Sequence, residues 1–147
     1  MKNTTNKILL GRTDIVDFPK LDLFGIHIKV DTGAYTSSIH CHNIEVENNI
    51  LKCQFLDPQH EKYHEKVFFF QEFTQKMVKS SNGISENRYL IKTEILIFNE
   101  IYPIELSLTE RGSMKFPVLL GRKFLSKKFI VDTSKKNLSF KNITLKS

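Results

Sequence analysis

The four consecutive residues Asp31-Thr32-Gly33-Ala34 have the types and order needed for acid–base chemistry. A strand pattern leads directly into them. Apolar side chains at positions 26, 28 and 30 alternate with polar ones, which predicts a strand with one face in the core. Such a strand would hold the Asp31 carboxylate on rigid backbone. Thr32 can fix the loop by hydrogen bonding, and Gly33 lets another backbone approach closely.

A second segment strengthens this interpretation. Residues 116–120 form an apolar run that is closed by Gly121 and Arg122, and residues 123–126 could begin a short helix. Between the two segments, Asn82-Gly83 lies between strand-like runs, which is a strong hairpin signal. Single-lobe aspartic proteases have this layout: a strand that ends in an acidic loop, then a flap-like hairpin, then an apolar strand followed by a helix.

The resemblance can be narrowed to one bacterial retropepsin-like family, whose members are often labelled ATP-dependent zinc proteases and encoded beside ATP-grasp glutamate ligases. The match runs from about Gly11 to Phe140. This chain has Tyr35 and Ile84 where the family usually has arginine and histidine. The segments that carry the resemblance are Gly11-Arg12, residues 29–34, residues 36–37, His40, residues 79–83, residues 85–86, residues 88–89, residues 103–106 and residues 119–122.

The resemblance implies a mostly β, single-lobe acid-protease barrel over residues 1–147, with its core at about 8–140 and one short helix after Gly121. Asp31 would be the catalytic residue, in an active-site loop formed by Thr32, Gly33 and Ala34. The residues that would form the flap and bind substrate are Lys79, Ser80, Ser81, Asn82, Gly83, Ser85 and Glu86. Those that would support the cleft are His40, Arg88, Leu120, Gly121 and Arg122; for His40, a hydrogen-bonded place behind the Asp31 loop is equally open.

Aspartic proteolysis needs two carboxylates that share one proton, because two like charges a few ångströms apart cannot both ionise. This chain supplies one suitable carboxylate, so we expect a C2 homodimer with Asp31 of each subunit on the axis. The terminal strands at residues 7–10 and 143–145 and the Asp31 loop itself are candidate contacts between the subunits. The expected substrate is an acidic or glutamylated peptide, with a functional link to a glutamate ligase. A non-catalytic peptide-binding module of the same fold is the alternative.

The segment from His60 to His64 matches the zincin pattern H-E-x-x-H, which would make a zinc peptidase. Zincin chemistry needs a helix that places both histidines on one face, but this segment has no apolar face to bury, and Asp57-Pro58 precedes it. We therefore predict a polar loop and no metal site. His40, Cys41 and His42 cannot converge on one ion from a regular strand, since successive side chains alternate. No Gly-rich phosphate loop occurs, so no cofactor is expected.

Bulk properties favour one soluble domain. The net charge is +6, but the lysines are scattered, which predicts a solvated surface rather than a nucleic-acid site. Two cysteines do not make a disulfide framework, and neither a signal peptide nor a membrane span is evident. A cytoplasmic location without a membrane partner is the resulting expectation.

The pattern of elements is mostly β. It predicts a first strand at residues 7–10, a polar and turn-rich segment at 11–20, and a strand within 66–73. Hairpins are expected around Asn48-Asn49 and Asn99-Glu100, with Pro103 at a sheet edge. Asp132 is expected in a turn between the segments 129–131 and 138–140, and not as a second catalytic aspartate.

Overall fold

The computed structural model describes residues 6–79, 83, 85–110 and 115–146. This part of the chain contains eleven strands and two α-helices, together with a short 3₁₀ turn at Pro19–Leu21. In chain order they are β1 (Ile8–Leu10), β2 (Thr13–Phe18), β3 (Leu23–Val30), β4 (Ser37–Glu47), β5 (Ile50–Phe55), β6 (Phe68–Phe70), β7 (Thr74–Lys79), β8 (Ser85–Ile97), β9 (Glu100–Thr109), β10 (Val118–Leu120), α1 (Arg122–Leu125), β11 (Phe129–Val131) and α2 (Leu138–Lys146).

Six strands close into a barrel in the order β10-β3-β2-β8-β9-β4, because β10 also pairs with β4. Strands β5 and β6 extend from β4, and β7 pairs with β8. Buried aliphatic side chains such as Ile26, Ile39, Ile95 and Leu106 alternate along the strands and fill the barrel. The predicted mostly β, retropepsin-like barrel with a short helix after Gly121 is confirmed.

Strand β10 lies between the strand that enters the Asp31 loop and the strand that leaves it. Val118 is the parallel partner of Ile28 in β3 and the antiparallel partner of Ile39 in β4. The end of β10 therefore reaches the loop from the far end of the chain. The insertion of β10 between β3 and β4 places Gly121 and Arg122 beside the Asp31 loop.

The prediction of a polar, turn-rich segment at 11–20 is wrong, because β2 occupies most of it. Its inward positions are Asp14, Val16 and Phe18, and all three are buried. The aspartate breaks the apolar alternation that would have revealed the strand. It is tolerated inside because its carboxylate accepts backbone N–H bonds from Ile15 at 2.8 Å, Ser139 at 2.9 Å and Phe140 at 3.1 Å.

Those bonds to Asp14 also explain a second correction. The segment that begins at Leu138 is the helix α2, so the terminal strand predicted at 143–145 is wrong. The first N–H groups of a helix have no partner within it, and here the Asp14 carboxylate supplies one. The expected strand at 129–131 and the Asp132 turn are confirmed: the Asp132 carboxylate accepts the N–H of Ser134 at 2.9 Å.

Both predicted hairpins are present. Asn48 and Asn49 have φ of 54° and 62°, which fits a tight two-residue turn. The second turn lies one residue earlier than predicted, at Phe98-Asn99 with φ of 51° and 61°. Pro103 pairs with β8 on one side, and β4 joins the other side of β9 only further along, so its predicted edge position is confirmed.

Candidate active site

The Asp31 loop is fixed by backbone hydrogen bonds at its start. The Asp31 N–H donates to the carbonyl of Leu120 at 2.9 Å, which ties the loop to β10. The Asp31 carboxylate accepts the N–H of Gly33 at 3.1 Å, and the Asp31 carbonyl accepts the N–H of Ala34 at 3.2 Å. The side chain is half-buried while Thr32 and Gly33 are exposed. The carboxylate is thus oriented by its own loop and still accessible.

Gly121 lies so close to this loop that no side chain would fit. A Cβ at this position would stand 2.7 Å from the carbonyl oxygen of Tyr35 and 2.9 Å from that of Ala34. The Gly121 N–H donates to the buried hydroxyl of Ser37 at 3.0 Å. The glycine is therefore required by close backbone approach.

The start of α1 binds three carbonyls of the same loop. The N–H groups of Arg122 and Lys123 donate to Ala34 and Tyr35, each at 2.8 Å. The Arg122 guanidinium donates to the Thr32 carbonyl at 3.0 Å and lies 5.8 Å from the centre of the Tyr35 ring. Arg122 was expected only to support the cleft, and these are the contacts through which it would do so. Its stacking on Tyr35 was not predicted.

The hairpin expected to form the flap is present as the β7–β8 pair, which ends at Lys79 opposite Ser85. Glu86 and Arg88 approach to 3.6 Å on β8. Gly83 has a φ of 84°, and a Cβ there would contact nothing within 4 Å. The predicted flap residues Ser80, Ser81 and Asn82, and also Ile84, lie outside the described residues.

His40 lies on β4, and its side chain approaches Asp57 rather than Asp31, with 4.0 Å between Nε2 and the carboxylate. Its N–H donates to the Pro117 carbonyl at 2.8 Å. His40 and His42 point away from the core that receives Cys41. Both cysteines are free thiols. A hydrogen bond between the Cys41 and Cys53 thiols, together with burial, raises the pKa of Cys41.

The segment from His60 to His64 is a turn followed by an irregular loop, as predicted. The His60 ring accepts the N–H of Lys62 at 2.9 Å, and burial lowers its pKa. The His64 ring lies 3.1 Å from the carbonyl of Leu21. Among the described residues, no group of three or more histidine, cysteine or acidic side chains could hold a metal ion. Nor is any helix in that part of the chain long and apolar enough to cross a membrane.

The retropepsin-like class is defined by a one-lobe barrel that has an acidic loop after one strand, here β3, and a neighbouring strand, here β10, that leads into Leu-Gly-Arg. Within that class, the chain belongs to the RimB-like family, whose model, described as retropepsin-like aspartic endopeptidase RimB, matches residues 9–142. The family assignment made from the motifs is thereby confirmed.

Curated relatives carry a different name. A protein of Shewanella pealeana named probable alpha-L-glutamate ligase is 34% identical over 148 residues, covering 88% of this chain and 29% of the relative. A protein of the same name from Parasynechococcus marenigrum is 33% identical over 135 residues, covering 87% of this chain and 28% of the relative. The chain therefore spans less than a third of the length of these relatives.

A solved structure shares the fold. The crystal structure of Lpg0085, a protein of unknown function from Legionella pneumophila, matches with a TM-score of 0.65 and 21% identity. The match covers 90% of this chain and 98% of the other. At this identity the likeness supports the fold alone.

Proposed function

We propose that this chain is a retropepsin-like aspartic peptidase that acts as a homodimer, with Asp31 of each subunit as half of the catalytic pair. The observation that carries the proposal is the accessible Asp31 carboxylate in a loop held by β10 and α1. One chain supplies one such carboxylate, and a two-fold axis through the loop would supply the second.

In that pair, one carboxylate is ionised and the other holds the shared proton. The ionised member takes a proton from a water molecule, whose oxygen attacks the scissile carbonyl carbon. The protonated member donates its hydrogen bond to the carbonyl oxygen as negative charge develops there. Thr32 and Gly33 allow the two loops to approach, and the β7–β8 hairpin closes over the peptide to exclude water.

The proposed substrate is an acidic or glutamylated peptide, and the proposed functional link is to a glutamate ligase. Two observations support this. The chain has a net charge of +6, which favours acidic partners. Relatives that contain a domain similar to this chain are named probable alpha-L-glutamate ligases. An enzyme that adds glutamate residues and one that removes them would act on the same peptides.

The test is hydrolysis of a peptide that ends in several glutamates, followed by mass spectrometry. Asp31→Asn should abolish cleavage and leave the fold intact, because the change is nearly isosteric and removes the ionisable oxygen. Asp132→Asn is the matched control, since Asp132 precedes a threonine in the same way but lies in a surface turn. Cleavage by the purified Asp31→Asn variant would rule out the aspartic mechanism. Tight peptide binding by the wild-type protein without cleavage would favour the binding module instead.

A further inference from the structure

Lys92 and Glu105 are directly opposite each other on β8 and β9, and they form a wall shared by two pockets. The first pocket, of about 340 Å³, is completed by Ser37, Pro103, Ile104, Lys123, Phe124 and Lys128. The second, of about 330 Å³, is completed by Leu90 and by residues 71–74, which include Glu72. The two pockets therefore lie side by side, with this pair of residues between them, and we call them together the lysine groove.

The lysine groove has an excess of positive charge on its first side. Glu105 accepts a hydrogen bond from the Lys123 ammonium at 2.7 Å, and this bond raises the pKa of Lys123. Lys123 and Glu105 thus neutralise each other. Lys92 and Lys128 remain, and Glu105 is the only acidic residue lining the first pocket within the described part of the chain.

Lys128 is held in place rather than free in solvent. Its ammonium donates to the Phe124 carbonyl at 2.6 Å and lies 4.7 Å from the centre of the Phe124 ring. Burial lowers its pKa. A partly desolvated ammonium with unused N–H donors gains more from a carboxylate partner than a fully exposed one does.

The lysine groove begins where the Asp31 loop ends. Ser37 lines the groove and also binds the N–H of Gly121, while the Lys123 N–H holds the Tyr35 carbonyl. An extended peptide advances about 3.3 Å per residue. A substrate bound at Asp31 and running past Tyr35 would therefore place residues several positions from the scissile bond into the groove.

We propose that the lysine groove binds the acidic side chains of the substrate, with Lys92 and Lys128 as specificity-determining residues. The proposal rests on the proposed peptidase function and names the residues that would recognise the peptide. Pro103, which is exposed on the same face of β9 as Glu105, provides apolar surface for the methylene groups of a glutamate side chain, and the two ammonium groups bind its carboxylate.

Binding is measured in the Asp31→Asn background, so that no cleavage occurs. A fluorescent peptide of consecutive glutamates is compared by anisotropy with a glutamine peptide of equal length. Lys92→Gln and Lys128→Gln should each weaken binding of the glutamate peptide roughly fivefold and leave the glutamine peptide unaffected. Lys127→Gln is the matched control, because it removes the same charge from the neighbouring residue, which does not line the groove. Circular dichroism verifies that each variant is folded.

Equal weakening by Lys127→Gln, or equal affinity for the two peptides, would overturn the groove assignment. In the active enzyme, Lys92→Gln should raise KM with little change in kcat, because the residue acts away from the reacting atoms. The groove and the peptidase function can fail separately. If the wild-type enzyme cleaves the glutamate peptide but binding does not depend on the charge of the peptide, only the groove assignment is rejected. If binding depends on charge but the wild-type protein cleaves nothing, only the peptidase function is rejected.

Discussion

The Arg122 guanidinium donates a hydrogen bond of 3.0 Å to the carbonyl of Thr32, ninety residues earlier in the chain. The same guanidinium lies against the Tyr35 ring, at 5.8 Å from its centre. The loop that carries Asp31 is therefore held from its outer side by one side chain. Its other restraints are the bond from the Gly33 N–H to the Asp31 carboxylate and backbone bonds to β10 and α1.

Arg122→Lys should lower kcat/KM by about tenfold to a hundredfold, because a lysine keeps the charge but loses the planar fork that reaches Thr32 while stacking on Tyr35. Peptide hydrolysis and thermal unfolding are measured on the same preparation. A merely structural role would reduce stability and activity together, whereas a positioning role lowers kcat with the unfolding temperature nearly constant.

Variants of the stacking partner provide the control. Tyr35→Phe keeps the ring on the guanidinium and should leave activity unchanged, while Tyr35→Ala removes the ring and should mimic part of the Arg122→Lys loss. Full activity in Tyr35→Ala would show that stacking of Arg122 on the ring is not needed to position the loop.

Gly121→Ala should destabilise the protein by about 1–3 kcal/mol, because the new Cβ would meet the backbone oxygens of Tyr35 and Ala34. Backbone atoms cannot move aside as a flexible side chain can. Urea denaturation monitored by circular dichroism measures the free energy of unfolding. Gly83→Ala serves for comparison, since its Cβ meets nothing within 4 Å and only the positive φ opposes it. A loss at Gly121 no larger than that at Gly83 would contradict the steric account.

The sequence predicted the barrel and the short helix after Gly121 better than it predicted β2 and α2. Asp31 and Gly121 lie in short motifs that each follow an apolar strand pattern, and the two strands, β3 and β10, pair directly with each other. Strand β2 and helix α2 were missed because each depends on the other: two of the three N–H groups that bind the buried Asp14 carboxylate belong to α2, and α2 begins at residue 138 with the help of Asp14. Local pattern cannot reveal a contact over 125 residues.

The lysine groove was missed for a related reason. Lys92 and Glu105 alternate with buried residues on β8 and β9 and therefore read as ordinary solvated positions. Only the register of the two strands places them opposite each other, and only the position of α1 and of the turn after it adds Lys123 and Lys128. The alternation of side chains would have identified the outward face of β8 and β9, but not the other elements of the chain that complete the groove.

Asp14→Asn should lower the free energy of unfolding by about 1–3 kcal/mol, since one of the oxygens that accept the N–H groups of α2 is replaced by a donor. The pH dependence is a second readout. Burial raises the pKa of Asp14 above its ordinary value of 3.8, against the opposing effect of its backbone hydrogen bonds. The folded protein then binds this proton more tightly than the unfolded chain does.

The contribution of Asp14 to stability is therefore largest below pH 3.8 and falls as the pH rises from 3.8 through the folded-state pKa. Asparagine does not titrate, so the stability difference between wild type and Asp14→Asn should shrink from pH 4 towards pH 7. Urea denaturation at several pH values measures it. A difference that grows with pH would mean that the hydrogen bonds outweigh burial and that the pKa is lowered.

The proposed catalytic pair makes a quantitative prediction about mixed subunits. If each active site needs Asp31 from both chains, an inactive Asp31→Asn subunit inactivates every wild-type subunit with which it pairs. A tenfold excess of Asp31→Asn, mixed and allowed to exchange, should reduce the activity per wild-type subunit to about a tenth.

Diluting the wild-type enzyme should lower its specific activity in parallel with dimer dissociation, measured by sedimentation velocity. Of the expected contacts, residues 143–145 are helical rather than a strand, and β1 pairs with β11 of its own chain in a two-stranded sheet. Activity that stays linear in wild-type concentration and is unaffected by the inactive subunit would rule out a site made from two chains.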